Sequence, residues 1–216
     1  MLALSVTCRP HFQPWLLYQL AKQETLLHLV VFDDAAQPMT WPTKGGITST
    51  VVRPERRLQL SLGEKRELVL EHARRLGEPF AWFDDDDWHP PERLIVGGEL
   101  VAKDKVDACG YDWGTFCDVK TLQTRRLNTG SRLCFNSAVF APHRARFKMQ
   151  AVHRGEDTLW LGATLASATI VSSPMFEHAW ISHNGNVTGK RGSMSFESAR
   201  FSRFDSWEKK FLEGVR

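Results

Sequence analysis

The sequence PFAWFDDDDW, residues 79–88, places four consecutive carboxylates directly after a short apolar run. The apolar part has the length and composition of a buried strand, so the acidic run marks the end of that strand. Buried carboxylates repel one another and need a cation, and hard oxygen ligands suit Mg²⁺, Mn²⁺ or Ca²⁺. A solvated acidic turn is the alternative, but the apolar strand before the run and Trp88 after it favour a metal site. On an extended chain, Asp84 and Asp86 would point to one side.

Strand and helix patterns alternate on both sides of this stretch. This alternation indicates an α/β fold with a largely parallel sheet, in which ligands bind at the carboxyl ends of the strands. Two of those ends are acidic, at Asp33-Asp34 and at Asp84–Asp87. The predicted elements are strands at 2–7, 27–32 and 79–83, helices at 14–22 and 64–76, a loop region at 37–54, and a further helix opened by Pro90 and Pro91.

The second half of the chain has a less regular pattern. We expect strands near residues 106–111, 132–140 and 169–171. A final helix is predicted over residues 206–212, with Asp205 as its N-cap and Glu208 three residues further on, which is the spacing of a capping box.

Composition excludes several classes of protein. The chain has 216 residues, of which 42% are hydrophobic, and its 28 Lys and Arg against 25 Asp and Glu leave a net charge of +3. These are the values of a folded domain, not of a disordered chain, a collagen or a disulfide-rich miniprotein. The four cysteines form no CxxC pair, which favours free thiols in a reducing compartment. Polar residues interrupt the uncharged stretch 158–176 and argue against a membrane span. Residues 1–7 have a strand pattern instead of a signal peptide, so we expect a cytoplasmic location.

Two shorter motifs contain groups suited to catalysis or metal binding. In Gly155-Glu156-Asp157 the acidic residues either favour the positive end of a helix or include a general base held near a reacting hydroxyl. His183 lies in Ser-His-Asn-Gly-Asn at 182–186, where it is either an ordinary surface or core residue or a metal ligand. No GxGxxG after a strand, P-loop or GxSxG motif is present.

Basic residues concentrate in one part of the chain. No acidic residue lies between Asp118 and Glu156, and the tail adds further basic residues interleaved with phenylalanines. The pattern is either a solvated basic surface or a track for a polyanion with aromatics that stack on bases. The basic residues are Lys120, Arg125, Arg126, Arg132, Arg144, Arg146, Lys148 and Arg154, then Lys190, Arg191, Arg200 and Arg203 beside Phe196, Phe201 and Phe204.

Taken in order, these features resemble the family 2 glycosyltransferases with a GT-A fold, over about residues 4–190. Phe83–Trp88 resembles the DxD motif, Gly155-Glu156-Asp157 resembles the ED motif, and His183 with Asn186 resembles the carboxy-terminal His-x-x-Asn element. Residues 62–66, Leu-Gly-Glu-Lys-Arg, are similar to the GxKRN helix start, although Glu67 replaces the Asn. Three further segments match: Thr7–Pro10 as the first nucleotide-contacting turn, Phe32–Asp34 as the acidic end of the second strand, and Cys134–Asn136 as an acceptor-side segment.

The resemblance implies a Rossmann-like three-layer sandwich with a mainly parallel central sheet. It implies a single catalytic domain over residues 1–190, with a donor half at about 1–105 and an acceptor half at about 106–190. A basic, aromatic tail and helix follow at 191–216. The implied reaction is the metal-dependent, inverting transfer of a hexosyl or pentosyl group from a nucleotide diphosphate, with a UDP-sugar as the expected donor, to an acceptor hydroxyl.

The same resemblance implies a role for each matched residue. Asp157 is the expected catalytic base, beside Glu156. Mn²⁺ or Mg²⁺ is the expected cofactor, with Asp86, His183 and Asp84 as its ligands. The expected donor-binding residues are Thr7, Arg9, Asp33, Lys65, Arg66, Asp84 and Asp85. The expected acceptor contacts are Arg125, Arg126, Trp160 and Asn136.

The sequence does not decide which molecule accepts the sugar. Some compact virus-encoded glycosyltransferases modify hydroxymethylated pyrimidines in DNA, and the basic interval favours that acceptor, which would place the protein in the host cytoplasm. A saccharide or a lipid-linked glycan is the alternative. A non-catalytic module that binds a nucleotide sugar or a glycan is a candidate of another class. The presence of Asp157 argues against it, since an inactive homologue need not retain a catalytic base.

Overall fold

A mainly parallel sheet forms the centre of the fold. The computed structural model describes residues 1–54, 59–103, 106–128, 132–183, 197–200 and 202–215. The strands are β1 (Leu2–Thr7), β2 (Leu27–Asp33), β3 (Ile47–Val52), β4 (Phe80–Trp82), β5 (Asp87–Trp88), β6 (Ala108–Gly110), β7 (Trp113–Asp118), β8 (Gln123–Asn128), β9 (Val139–Phe140), β10 (Ile170–Ser172), β11 (Ala179–Ser182) and β12 (Glu197–Arg200). The helices are α1 (Gln13–Ala21), α2 (Leu62–Leu76), α3 (Arg93–Ala102), α4 (Glu156–Leu165) and α5 (Ser206–Val215), with 3₁₀ turns at Pro10–Phe12, Phe135–Ser137, Pro142–Arg146 and Pro174–Phe176.

The central sheet has the strand order β10-β6-β9-β4-β1-β2-β3. β9 is antiparallel to both of its neighbours, and the other neighbouring pairs are parallel. β1, β2 and β4 therefore end at the same edge, where backbone hydrogen bonds join Asp34 to Thr7 and Phe83 to Leu4. The predicted α/β fold with a mainly parallel sheet is confirmed, and its two acidic strand ends lie at one edge.

Helices cover both faces of this sheet. Leu4 of β1 lies in a core cluster with Val69 of α2 and Trp160 of α4, whereas the neighbouring Ala3 packs in a second cluster with Leu16 of α1. Successive residues of a strand point to opposite faces, so a strand covered on both faces needs a continuous apolar run. The arrangement is the predicted three-layer sandwich.

A second sheet begins at the acidic run. It has the order β12-β8-β7-β11-β5, and its edge strand β5 contains the last of the four aspartates. An aromatic cluster joins this sheet to helices α1 and α5, through Trp88 and Ile181 on the sheet, Trp15 on α1, and Phe204 and Leu212 near the carboxyl end. This sheet continues from the edge at which β1, β2 and β4 end, and its strand β11 is followed directly by His183.

Two segments differ from their predicted structure. The region at 37–54 contains the edge strand β3, so the prediction of a loop there is wrong for residues 47–52. The predicted strand at 132–140 is reduced to the two residues of β9 after a 3₁₀ turn. The turn forms because the Ser137 hydroxyl accepts a hydrogen bond from the Tyr111 amide at 2.8 Å, while the Asn136 amide reaches the acidic run.

The helices begin and end at the signals in the sequence. Ser61 and Glu64 form a reciprocal capping box at the start of α2, and Gly77 ends that helix in the left-handed region at φ 64°. Asp205 and Glu208 form the predicted capping box of α5. In the part of the chain that the structure describes, no helix combines the length and the apolar character needed to cross a membrane.

The cysteines are free thiols, as predicted, and they occupy two environments. Cys8 is exposed, whereas Cys109, Cys117 and Cys134 are buried. Burial raises the pKa of each of the three buried thiols to about 12. The buried thiols are therefore packing groups of low reactivity.

Asp107 is an anchor between distant segments. Its carboxylate accepts hydrogen bonds from Arg144 at 2.7 Å and from the Thr169 amide at 2.6 Å, and lies 2.6 Å from the His143 ring. The hydrogen bond from Arg144 is the main cause that lowers the pKa of Asp107 to about 2. Because the folded pKa is depressed, this carboxylate stabilises the fold above its unfolded pKa of about 3.9, and the contribution is lost as the pH falls toward 2.

We therefore expect Asp107→Asn to lower the free energy of unfolding by about 2 kcal/mol at pH 7. The difference from wild type should shrink as the pH falls below about 4. Urea unfolding at a series of pH values measures it, with the exposed Glu99→Gln as a control of small effect. A difference that stays constant from pH 7 to pH 3 would contradict this account.

Candidate active site

The four aspartates form a turn at the carboxyl end of β4. The Asp87 amide donates to the Asp84 carbonyl at 3.3 Å, and Asp85, Asp86 and Asp87 are buried while Asp84 is partly exposed. The expectation that Asp84 and Asp86 share one side is wrong, because the chain turns there instead of remaining extended. We call residues 84–87 the acidic turn; its carboxylates face two separate groups of partners.

On one side, Arg9 neutralises the acidic turn. Its guanidinium contacts the Asp85 carboxylate and donates to Asp86 at 2.7 Å, and the Thr7 hydroxyl donates to Asp85. His183 Nε2 lies 2.9 Å from Asp86 Oδ2. The aromatic ring of Phe12 packs against both side chains, with the Arg9 guanidinium 5.0 Å and the centre of the His183 ring 4.7 Å from its centroid. These contacts gather five predicted site residues: Thr7, Arg9, Asp85, Asp86 and His183.

The two neighbouring carboxyl groups on this side have opposite pKa shifts. Burial raises the pKa of Asp85 to about 6, against the opposing effect of Arg9. Burial also acts to raise the pKa of Asp86, but the hydrogen bond with His183 and the Arg9 charge outweigh it, so its pKa lies below the usual value. Asp86 is therefore the more firmly ionised of the two.

On the other side, Arg66 bridges the acidic turn to helix α4. Its guanidinium donates to Asp84 and to Glu156, both at 2.8 Å, and lies 4.8 Å from the centre of the Phe135 ring. The Asn136 amide donates to Asp84 at 2.8 Å and to Asp87 at 2.7 Å. Burial and the adjacent carboxylates raise the pKa of Asp87 well above its usual value.

Glu156 and Asp157 occupy different environments at the start of α4. Glu156 is buried against Arg66, and burial raises the pKa of its carboxyl group. Asp157 is only partly buried, and its Oδ1 accepts from the Thr158 amide at 2.7 Å and from the Thr158 hydroxyl at 3.3 Å. Asp157 is thus the member of the pair that is open to a substrate.

Gly63 explains how α2 and the segment before α4 come together. A side chain at this position would collide with the carbonyl oxygen of Gln150, and the Gly63 amide donates to the Val152 carbonyl at 3.1 Å. This close approach of backbones requires glycine. It fixes the segment that leads to Glu156 against the helix that carries Lys65 and Arg66.

The two aspartates at the end of β2, Asp33 and Asp34, make different contacts. Asp33 is buried and accepts from the Ala35 and Met39 amides at 3.1 and 2.8 Å, and it pairs with Arg53 at 3.0 Å, so it holds the loop after β2. Asp34 is the partly exposed member, and Lys65 donates to it at 2.7 Å. Asp33 is the predicted donor-binding residue of this pair, but Asp34 has the more exposed carboxylate.

The predicted acceptor residues are scattered. Trp160 is completely buried and donates to the Phe147 carbonyl at 2.8 Å, which excludes direct contact with an acceptor, so this prediction is wrong. Asn136 is buried beneath the acidic turn. Arg125 and Arg126 lie on β8 of the second sheet, where Arg126 pairs with Glu177 at 3.0 Å.

The basic interval does not form one free track. Arg132 donates to the Leu165 and Ala168 carbonyls, and Arg144 pairs with Asp107. Phe204 is buried, so it does not stack on bases. Asn186, Lys190, Arg191, Phe196 and Phe201 lie outside the described residues, and the side chain of Arg200 is not described either.

Two of the three predicted metal ligands, Asp86 and His183, lie side by side. Asp86 Oδ2 and His183 Nε2 are 2.9 Å apart, close to the roughly 3 Å that separates adjacent ligands of an octahedral ion with bonds of about 2.1 Å. Among the residues that the structure describes, no cluster of three acidic, His or Cys side chains forms a metal site, and Asp84 is directed to Arg66 and Asn136. Two protein ligands suit an ion whose other positions are filled by substrate phosphates, as is usual for Mg²⁺. Arg9 contacts the same Asp86 oxygen, so it would have to shift.

The mainly parallel central sheet and the match to solved structures identify a GT-A-like α/β fold. Solved structures of Staphylococcus aureus TarS have this fold. The TarS 1–349 structure superposes with a TM-score of 0.59 at 19% identity, covering 80% of this chain and 58% of that one. Its complex with UDP superposes with a TM-score of 0.61 at 17% identity, covering 84% of this chain and 60% of that one. Its complex with UDP-GlcNAc superposes with a TM-score of 0.62 at 16% identity, covering 86% of this chain and 59% of that one.

These likenesses concern the fold. This chain spans about three fifths of the length of those TarS structures. No protein-family model matches the sequence, and a comparison with curated proteins finds no match.

Proposed function

We propose that this protein is a glycosyltransferase that moves a sugar from a nucleotide diphosphate, most simply UDP, to an acceptor hydroxyl with inversion at the anomeric carbon. One observation carries the proposal. The chain has the fold of TarS, whose solved structures include complexes with UDP and UDP-GlcNAc, and in this fold cationic and acidic groups surround the acidic turn. Arg9 and His183 lie on one side of that turn, and Arg66, Glu156 and Asp157 lie on the other.

The Arg9 side suits the donor. Arg9 and Lys65 are cations at the carboxyl edge of the sheet, the position at which open α/β sheets bind their ligands. They would hold the diphosphate, while the partly exposed Asp34 at the end of β2 would contact the nucleoside. Asp33 supports this arrangement indirectly, because its carboxylate holds the loop after β2.

A divalent ion bound by Asp86 and His183 would neutralise the charge that develops on the leaving diphosphate. The proposal includes Mn²⁺ or Mg²⁺ because the Asp86 carboxylate and the His183 ring nitrogen lie next to each other. Asp85 and Thr7 then orient Arg9 and the turn.

The Asp157 side suits the acceptor. The acceptor oxygen attacks the anomeric carbon opposite the diphosphate, so that the new carbon–oxygen bond forms as the bond to the leaving phosphate oxygen breaks. The hydroxyl proton passes to the Asp157 carboxylate, which acts as the general base. Glu156 is less suited to this role, because its carboxylate is held by the buried Arg66 guanidinium.

Donor turnover tests the proposal. UDP-GlcNAc and other UDP-, GDP- and dTDP-sugars would be incubated with Mn²⁺ or with EDTA, with saccharides, hydroxymethylated DNA or unmodified DNA as acceptors. We expect release of UDP that depends on an acceptor and that EDTA abolishes. His183→Ala should weaken the activation by Mn²⁺.

Three outcomes would change the proposal. UDP release that EDTA leaves intact would remove the metal. Tight UDP-sugar binding without turnover for any acceptor would favour the non-catalytic module. Absence of both turnover and binding of every nucleotide sugar would overturn the proposal.

A further inference from the structure

Aromatic side chains extend from the acidic turn across the second sheet. Asp87 pairs with Trp180, Trp180 with Phe116, and Phe116 with Arg125, on strands β5, β11, β7 and β8. Residues paired directly across strands project from the same face of a sheet. These four residues therefore form one line, which we call the aromatic row.

The row is continuous with the candidate active site. Its first residue, Asp87, shares the Asn136 amide with Asp84, and Asp84 in turn contacts Arg66. A molecule that lies along the row thus has one end beside the acidic turn, on the side of Glu156 and away from Arg9.

The two rings of the row are held in fixed orientations. Phe116 and Trp180 stack with their centroids 4.5 Å apart and their planes at 27°. The indole lies against Gly114, where any side chain would collide with it, and it meets the buried His178 ring edge-on at 4.3 Å. Burial lowers the pKa of His178 to about 3, so this support is an uncharged ring. The rings are preorganised and lose little freedom when a ligand binds.

The chemistry of the row suits a sugar ring. Trp180, Phe116 and Arg125 are each partly exposed, so aromatic surface is open to solvent beside the site. The faces of aromatic rings carry partial negative charge, which complements the polarised C–H groups on one face of a pyranose. The hydroxyl groups at the edge of such a ring are acceptors for an arginine guanidinium. We propose that the aromatic row binds a sugar ring of the acceptor, and that Trp180 and Phe116 determine acceptor specificity; this inference rests on the proposed function.

A nucleic acid suits the row less well. DNA binding depends on several cations that neutralise phosphates, whereas this row has one arginine at its far end. Its near end is Asp87, which adds no cation for a phosphate. Aromatic rings also stack on bases, so DNA remains the alternative that an experiment must separate.

Saccharide binding by the full chain tests the row. Immobilised oligosaccharides that contain glucose, galactose, mannose, rhamnose or N-acetylglucosamine would be probed with wild type, and the strongest ligand would be titrated by calorimetry. We expect Trp180→Ala and Phe116→Ala each to weaken that binding about tenfold, which corresponds to about 1.4 kcal/mol. Trp180→Phe, which retains a ring, should recover part of the affinity.

The matched control is Trp113→Ala. Trp113 is 37% exposed on the same strand as Phe116, but at an odd spacing that directs it to the opposite face. It should leave saccharide binding unchanged. If Trp180→Ala lowers the melting temperature, Gly114→Ala provides a second test, because it displaces the indole without removing it.

The outcomes distinguish a failure of the aromatic-row proposal from a failure of the proposed function. Wild type that binds none of the oligosaccharides, or variants that bind as wild type does, would overturn the row even if UDP binds. Loss of hydroxymethylated-DNA binding in Trp180→Ala, with no saccharide binding in wild type, would overturn it in favour of DNA. Saccharide binding that depends on the row in a protein that neither binds nor turns over a nucleotide sugar would support the row and contradict the proposed function.

Discussion

Asp157→Asn is expected to reduce sugar transfer about a thousandfold while leaving the affinity for UDP close to that of wild type. The reason is chemical: asparagine has nearly the shape of aspartate but cannot accept the hydroxyl proton. Asp157 also lies across the acidic turn from Arg9 and His183, so the donor side should stay intact. Initial rates with saturating donor measure the first quantity, and calorimetry with UDP measures the second.

Glu156→Gln is the control that shows which of the two neighbouring carboxylates is the base. Glu156 is the neighbouring carboxylate, but Arg66 already holds it, so its loss should act mainly on stability. If Glu156→Gln abolished transfer in a folded protein while Asp157→Asn did not, the two assignments would have to be exchanged. Loss of UDP binding in Asp157→Asn would count against a pure base role.

Arg66→Met should give the largest loss of stability, about 3–5 kcal/mol, as is usual when one partner of a buried ion pair is removed. The Arg66 side chain is buried, and its guanidinium contacts two carboxylates. Methionine fills much of the same volume but leaves Glu156 as a buried charge without its partner. Urea unfolding monitored by tryptophan fluorescence measures the change.

Two further variants show whether the buried charge is the cause. Arg66→Met combined with Glu156→Gln should recover part of the lost stability, because no uncompensated carboxylate remains at Glu156. Lys103→Met breaks the exposed pair with Glu99 and should change the free energy of unfolding by less than about 1 kcal/mol. Equal stability of the single and double Arg66 variants would mean that packing, not charge, dominates.

The inner strands β1, β2 and β4 of the central sheet were predictable because their signals are local. Leu2–Thr7 and Leu27–Asp33 are covered on both faces, and this environment leaves a mainly apolar run in each strand's sequence. Helix α2 is framed by Ser61 and Gly77, whose effects on the backbone depend on neighbouring residues alone. Such signals need no knowledge of distant partners.

The second sheet was not predictable by the same means. In β8, Arg125 and Arg126 follow each other, so the sequence shows no alternation of apolar and polar residues. β7 has a glycine at the position where the Trp180 ring lies. Both strands owe their structure to pairing partners elsewhere in the chain, and a single sequence does not identify those partners.

The candidate site was predicted in part. The sequence located the acidic turn, the Glu156-Asp157 pair and His183, because each combines unusual residue types over a short span. It did not predict which cations neutralise the turn. Arg9 and Asp85 are 76 positions apart and Arg66 and Glu156 are 90 apart, so these pairs follow only from the folded arrangement.

The unequal exposure of the cysteines has a practical use. In the folded protein a thiol-reactive dye should modify Cys8 and spare the three buried thiols. Burial raises the pKa of Cys8 as well, so labelling calls for mildly alkaline buffer. Because Cys8 lies between Thr7 and Arg9, a fluorophore attached there would test the proposed nucleotide binding optically without any engineered labelling position.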